Sequence, residues 1–369
     1  MCAEAVEVDT LIFDVDDTMY PVSTGFSDHR NSATPRFMVD KLGFKNIEEA
    51  KVLLLEFFER THSSVRGLLL AQKEGRLPPG AHYDPKDQTQ YWCDNLDFEK
   101  FLKPNLDFIA ALEELSKKFK LVAFSNSPRA YVLKCLDALG VRHIFPDDRI
   151  FGVDDVAPHG KPKPEAFQIV FDQVGCVPER SVMFEDSGKN VIATKKLGMH
   201  TVFVDEPGLG GGEASMLSDS LELGHPSVDV RIGSVGEMRK MLPDLWEGHF
   251  RAIAPDHAVY MKALTVKYFD VWNKHDEAKL CSLHAPMSTL KDWDASHGPT
   301  NADVAKGVAS IWEAVPEIRI AVLDVYTTIT NTCIANIVVY VNSKTSLKVC
   351  DVIEYDDEGK ILSINAYKV

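Results

Sequence analysis

The chain has 369 residues, 45% of them hydrophobic and 26% charged, with a formal net charge of −15 at pH 7. This is the composition of an ordinary soluble globular protein, and the length makes two domains the natural expectation. The negative balance argues against general nucleic-acid binding and against an anionic membrane surface. No apolar run approaches the ~20 residues that a membrane span needs. The opening MCAEAVEVDT has neither a basic stretch nor an apolar signal core, and the seven cysteines are scattered without a C-x-x-C pair. Reduced thiols and a cytoplasmic location are expected.

Residues 11–20, LIFDVDDTMY, hold the first informative pattern. Leu11, Ile12 and Phe13 form a short apolar run of the kind that makes a buried parallel strand. It ends in Asp14, Asp16 and Asp17, followed by Thr18. Carboxylates crowded at one strand end repel one another unless positive charge sits among them. The carboxyl ends of strands in an open α/β sheet are where such folds bind ligands. A divalent cation with hard oxygen ligands, Mg²⁺ beside a phosphate, relieves the repulsion; an acidic loop capping the next helix is the plainer alternative.

Residues 46–72 then place apolar side chains at helical spacing, and Gly75, Pro78, Pro79 and Gly80 break the pattern. Residues 87–95 and 106–119 read as further helices. So large an insertion after a site-bearing strand is expected to form a cap or lid. Strand pattern returns at 121–124, LVAF, ending in Ser125, Asn126 and Ser127 before Pro128. A hydroxyl and an amide there can bind an anionic oxygen beside the N–H groups of the next helix. Equally, Ser127 can be a simple helix N-cap.

After a short strand near 150–152 comes GKPKPEAF, residues 160–167, whose prolines hold the backbone extended before a helix near Glu165. Lys161 is thereby presented from a stiff loop, where it can neutralise a phosphate and keep a carboxylate ionised. Lys163 reads as a solvated surface residue. The strand at 181–184, SVMF, ends in Glu185, Asp186 and Ser187, with Asn190 on the helix beyond, and 200–204 is a further strand.

In this order, the D-x-D-x-T, S-N, K-P and E-D-S motifs make residues 9–245 resemble the haloacid dehalogenase superfamily of Mg²⁺-dependent phosphohydrolases. The resemblance implies a first domain over residues 1–245. Its α/β core is a doubly wound, Rossmann-like parallel sheet (1–20 and 103–245), and its helical cap covers about 21–102. It implies Asp14 as the nucleophile that forms an aspartyl-phosphate and Asp16 as the acid and then the base. Mg²⁺ would be held by Asp14, the Asp16 main-chain carbonyl and Asp186, with Glu185 in or next to that shell. Ser125, Asn126 and Lys161 would bind the transferring phosphoryl group, and Thr18 would orient the loop. Having Asp16 as the second Asp of D-x-D favours phosphoryl transfer over dehalogenation, on a small phosphorylated metabolite.

Within that superfamily, DDTMYP…GF with LPPGAHYD looks closest to the pyrimidine 5′-nucleotidase-like branch. Members of that branch carry a Tyr-Gly-Thr-Thr-like run in the middle cap helix. Here the matching stretch is Thr61-His62-Ser63-Ser64, followed by Arg66-Gly67. The departure leaves a nucleoside monophosphate as one candidate among small phosphate esters. His62 and Arg66 either contact substrate or are solvated helix residues. The Gly/Ser-rich stretch 207–226 lacks the G-x-x-x-x-G-K-[ST] pattern and reads as a flexible loop. Residues 228–232 read as the last strand, 235–242 as its closing helix and 246–255 as a junction.

The remainder starts a new pattern. Residues 257–283 form an amphipathic helical stretch with Leu264, Tyr268, Val271, Trp272 and Leu280 on its apolar stripe. A helix at 301–313 precedes period-two strands at 318–330, 332–341, 347–355 and 361–367, with Asp356-Asp357-Glu358-Gly359 as a hairpin turn. The run YFDVWNKHDEAKLCSLHAP resembles the opening of the SnoaL-like, ketosteroid-isomerase-like fold, which implies an α+β cone with a curved antiparallel sheet over 256–369. By that resemblance Tyr268, Asp292 and Asp351 match an oxyanion-hole Tyr, a base Asp and a protonated Asp. The alternative places Tyr268 in the core, Asp292 in a loop and Asp351 in a local pair. Trp293, Trp312 and Tyr326 either line a pocket for an apolar ligand or fill one. The fold is reused for binding and dimerisation, so the domain is an isomerase, a small-molecule sensor regulating the phosphatase, or the platform of a homodimer.

Overall fold

The computed structural model describes residues 4–61, 63–206, 221–252, 257–328, 330–342 and 344–369. His62, residues 207–220 of the Gly/Ser-rich stretch, residues 253–255 of the expected junction and Asp256 at the expected start of the second domain lie outside them. The chain divides into two compact units, Met1–Ser220 with Ser227–Ala254, and Leu221–Pro226 with Pro255–Val369. No helix among the described residues is long and apolar enough to cross a membrane.

In the first unit, strands β1 (Val6–Glu7) and β2 (Thr10–Phe13) lead into five helices: α1 (Phe26–Leu42), α2 (Ile47–Thr61), α3 (Ser64–Lys73), α4 (Pro85–Asn95) and α5 (Phe98–Phe101). Then come α6 (Leu106–Leu115), β3 (Lys120–Phe124), α7 (Arg129–Ala138), β4 (Ile150–Phe151), α8 (Pro164–Val174), β5 (Ser181–Glu185) and α9 (Gly188–Lys196). The unit closes with β6 (His200–Val204), β7 (Val230–Ile232), α10 (Met238–Met241) and β8 (His249–Phe250). Six strands form one parallel sheet in the order β4-β3-β2-β5-β6-β7. Because side chains alternate across a strand, Leu11 and Phe13 enter one core while Ile12 enters the other. Val182 and Phe184 against Met183 divide in the same way. Such two-faced burial is what the doubly wound architecture requires. Phe13 and Phe184 stack at 4.4 Å between ring centroids, locking together the two strands that end in acids.

Helix starts follow local capping chemistry. Asn105 accepts from the Asp107 and Phe108 N–H groups ahead of α6, and Pro164 opens α8. The cap has its own apolar core, including Phe37, Met38, Leu53, Phe57, Leu68 and Tyr83. Helix α1 was not legible in the sequence: Pro35 lies inside it, and its buried residues do not form one clean stripe. The expected helix at 46–72 divides into α2 and α3, because Ser63 caps a new helix by accepting from Arg66 N–H.

The second unit contains α11 (His257–Asn273), α12 (Glu277–Leu283), β9 (His284–Lys291), β10 (Ser296–His297) and α13 (Asn301–Ala314). Strands β11 (Arg319–Thr327), β12 (Thr332–Asn342), β13 (Thr345–Tyr355) and β14 (Ile361–Lys368) follow. The single helical stretch expected at 257–283 is interrupted where His275 adopts φ 54° and Asp276 caps α12. The sheet order is β10-β9-β14-β13-β12-β11. It is antiparallel except for the β14–β9 pair, which is parallel, so the expected all-antiparallel sheet is corrected there. Residues 221–226, which the sequence assigned to the first domain, belong to this unit: Glu222 pairs with Lys267 and the His225 ring meets Tyr260 edge-on.

Candidate active site

The strand order brings β3, β2 and β5 side by side, so the residues that follow them converge at one edge of the sheet. Asp14 is buried, and its N–H bonds the Phe184 carbonyl at 2.9 Å, keeping the residue beyond β2 tied to β5. The chain then turns sharply: Asp17 takes φ 60°, and Ser27 Oγ donates to its carboxylate at 2.5 Å. Thr18 Oγ1 donates to Asp186 Oδ1 at 3.0 Å, so the expected loop-orienting Thr links the two acidic strand ends.

Lys161 reaches this point from the loop before α8, with its side chain 1% exposed. Its ammonium lies 2.9 Å from Asp14 Oδ1 and 2.7 Å from Glu185 Oε2. The Asn126 side chain accepts from Lys161 N–H at 2.8 Å and donates to Lys161 C=O at 2.9 Å. Both ends of that amide thus hold the lysine's backbone, so the Asn126 side chain expected to bind a phosphoryl group is already occupied. Glu185 is likewise occupied, with Oε2 on Lys161 and Oε1 accepting from Ser187 N–H at 3.1 Å.

The charges are strongly coupled. Burial and the neighbouring Glu185 push the Asp14 carboxyl up to about 7 against the pull of Lys161. Burial, Glu185 and Asp14 raise Asp186 well above the carboxylate range. Burial would lower Lys161, but Asp14 and Glu185 hold its ammonium well above the ordinary value. Carboxylate oxygens of Asp14, Glu185 and Asp186 all lie within 4.8 Å of one another. Hard, anionic oxygens this close, with the Asp14 and Asp186 carboxyls driven toward protonation by burial and by acidic neighbours, suit a divalent cation such as Mg²⁺.

Asp16 has a different environment. Its Oδ1 accepts from Tyr20 Oη at 2.8 Å and Tyr131 Oη at 2.7 Å, and pairs with Arg30 Nη1 at 2.8 Å. Its Oδ2 accepts from Ser127 Oγ at 2.7 Å and Ser125 Oγ at 3.3 Å. Burial would raise this carboxyl, but Arg30 and the Ser127, Tyr131 and Tyr20 hydroxyls together hold it below the usual range. Arg30 and Tyr131 went unread in the sequence. Arg30 lies on the helix that periodicity missed, and Tyr131 looks there like any buried aromatic. Ser127, read as an N-cap or an anion ligand, instead bonds Asp16.

In the second unit, Tyr268 and Asp351 are both buried and close enough for Asp351 to raise the phenol. Asp351 Oδ1 has no hydrogen-bond partner among the described residues. Burial and Asp292 push the Asp351 carboxyl up to about 7. Asp292 sits in the turn between β9 and β10, where its Oδ1 accepts from Asp294 and Ala295 N–H groups. His284, unread in the sequence, is buried edge-on to Tyr268 with neither ring nitrogen partnered among the described residues, and burial lowers it to about 4. Trp312 is buried, whereas Trp293 and Tyr326 are exposed. Tyr326 pairs with Ile334 on the sheet face away from the core, and so lines no interior pocket.

A family model described as haloacid dehalogenase-like hydrolase matches residues 8–198. The chain is 33% identical over 130 residues to a phosphorylated carbohydrates phosphatase of Thermotoga maritima, covering 35% of this chain and 59% of that protein. It is 26% identical over 207 residues to phosphate metabolism protein 8 of Saccharomyces cerevisiae, covering 53% and 61%. The chain thus spans roughly three-fifths of these two relatives, from the 59% and 61% covered. A solved structure of a putative SnoaL-like isomerase from Agrobacterium tumefaciens aligns over 30% of this chain and 97% of its own, at 13% identity and a TM-score of 0.27.

Two outcomes follow from these charges. Lys161→Met strands two buried carboxylates, so urea unfolding at pH 8 in EDTA is expected to show a loss of about 3–5 kcal/mol. Asp351 has a folded-state value above its unfolded one. Its contribution is therefore greatest below the unfolded value and is lost as pH rises through about 7. Asp351→Asn should remove its own share of that loss, about 3 kcal/mol between pH 5 and pH 7, so that the urea midpoint of the second unit falls less between pH 5 and pH 8 than in the wild type.

Proposed function

The chain belongs to the haloacid dehalogenase-like hydrolase family, and from that membership we propose that it is a Mg²⁺-dependent phosphomonoester hydrolase working through an aspartyl-phosphate on Asp14. The observation that carries the reading is the Lys161 ammonium bridging the buried Asp14 and Glu185, with the half-buried Asp186 beside them. Asp14 Oδ1 or Oδ2 attacks phosphorus while the ester P–O bond breaks, and Asp16 delivers a proton to the departing alkoxide oxygen. In the second step Asp16 takes a proton from water, the water oxygen bonds phosphorus, and the bond to Asp14 breaks to release phosphate. The five groups around Asp16 favour its carboxylate, the form this second step requires. The first step requires the proton on Asp16, which the Arg30 guanidinium at 2.8 Å opposes.

Asp14, Asp186 and the Asp16 carbonyl would hold the Mg²⁺, which when bound supplies charge neutralisation of the phosphoryl oxygens. Glu185, with both oxygens occupied, serves chiefly to fix Lys161. Ser125 and the Asn126 N–H bind the phosphoryl group with Lys161. The substrate is a small phosphorylated metabolite, with sugar phosphates favoured by the phosphorylated carbohydrates phosphatase among the relatives and a nucleoside monophosphate as the alternative.

For the second unit, Asp351, whose Oδ1 has no hydrogen-bond partner among the described residues and whose carboxyl burial raises, favours beside Tyr268 a ligand-binding or isomerase-like pocket for an apolar molecule, with Asp292 as its base. The outer sheet face carries exposed Tyr326, Tyr340 and Tyr367, and a homodimer in the cytoplasm would pair there.

Hydrolysis of an aryl phosphate tests the main reading. The wild type should turn over with Mg²⁺ and stop in EDTA, and Asp14→Asn should lose at least about 10³-fold in kcat. Undiminished turnover in Asp14→Asn would remove the aspartate as nucleophile.

A further inference from the structure

Among the described residues, Lys161, Arg30 and Arg66 bring cationic side chains near the residues that follow β2 and β3, and the first two are already paired. Lys161 is shared by Asp14 and Glu185, and Arg30 is bound to Asp16. The third is Arg66, from the first turn of α3 in the cap. Its guanidinium lies against Gly160, so closely that a Cβ there would collide with Nη2 and lie 3.1 Å from Asn126 Oδ1. It therefore stands beside the Asn126–Lys161 peptide clamp, one residue upstream of the catalytic lysine. Among the described residues the half-buried guanidinium has no hydrogen-bond or ion-pair partner; only the Arg66 backbone N–H is engaged, by Ser63.

The corner that carries Arg66 is firmly built. Gly67 lets α3 approach α2, where a Cβ would lie 3.3 Å from Phe57 Cβ. Gln88 donates to Thr34 and Ser64 and accepts from Tyr83, tying α1, α3 and α4 together beneath it. A guanidinium held this way is a fixed fork of donors suited to a carboxylate or phosphate.

We infer that Arg66 is the specificity residue of the cap, selecting phosphate esters that carry a second anionic group, a carboxylate or a further phosphate, beyond the transferred phosphoryl. This rests on the phosphatase reading above and narrows its substrate class. The transferred phosphoryl already has Lys161, Ser125 and the metal site for its own charge. An additional unpaired cation, entering from the cap beside the clamp, matches additional substrate charge.

Calorimetry on the full chain with Mg²⁺ tests this using methylphosphonate, phosphonoacetate and 3-phosphonopropionate, non-hydrolysable probes without and with a carboxylate. The wild type should bind at least one carboxylated probe about ten-fold or more tighter than methylphosphonate, and Arg66→Ala should shrink that ratio to within about two-fold. Arg66→Lys should keep part of the preference. Gly160→Ala, whose methyl displaces the guanidinium, should lower it while Arg66 remains present, which covers the case of an Arg66→Ala protein that does not fold. Three results would each overturn the inference: no preference in the wild type, a preference that survives both Arg66→Ala and Gly160→Ala, or equal weakening of all three probes. Failure of the phosphatase reading is separately visible as absent aryl phosphate turnover in the wild type, because the probes are scored by binding alone.

Discussion

One buried ammonium organises the first unit. Lys161 sits between Asp14 and Glu185, which follow and end adjacent parallel strands, and without it two carboxylates would face each other in a low-dielectric interior. Much of the surrounding structure places that charge. Prolines at 162 and 164 stiffen its loop, and Asn126 grips its peptide from the end of β3. Phe13 and Phe184 stack beneath the two acids. The parallel sheet fixes the spacing of the strand ends, and the lysine makes that spacing electrostatically tolerable.

Around this centre the two aspartates of D-x-D are shifted in opposite directions. Asp14 is crowded by acids and pushed toward protonation, a condition that a cation reverses. Asp16 is turned away from them into a ring of hydroxyls and a guanidinium and kept ionised. Two carboxylates two residues apart thus meet different neighbours, Lys161 at Asp14 and Arg30 with four hydroxyls at Asp16. Helix α1 contributes to both settings, Arg30 reaching Asp16 and Ser27 reaching Asp17.

The strand ends were legible in the sequence because acids that close an apolar strand of a parallel sheet are costly to crowd together unless they hold a ligand. Asp14, Ser125, Lys161, Glu185 and Asp186 do come together. Their division of labour was not legible: nothing in S-N marks the Asn126 side chain as a clamp on Lys161, since amides bind anions and peptides equally well. Arg30 was hidden because helix α1 contains Pro35 and lacks a clean stripe, its burial coming from tertiary packing. In the second unit the alternating strands β11 to β14 stood out. Strand β9 did not, because Pro286 interrupts it and its early residues are buried out of period. The polar residues in that interior, His284 above all, leave no periodic signature.

The most direct test of Asp14 as nucleophile is the stereochemical course at phosphorus, using a phosphate ester made chiral with oxygen isotopes. Attack by Asp14 followed by attack of water inverts the configuration twice, so net retention is expected in the released phosphate. Net inversion would mean that water attacks the ester directly, and Asp14 would then be a metal ligand rather than the nucleophile.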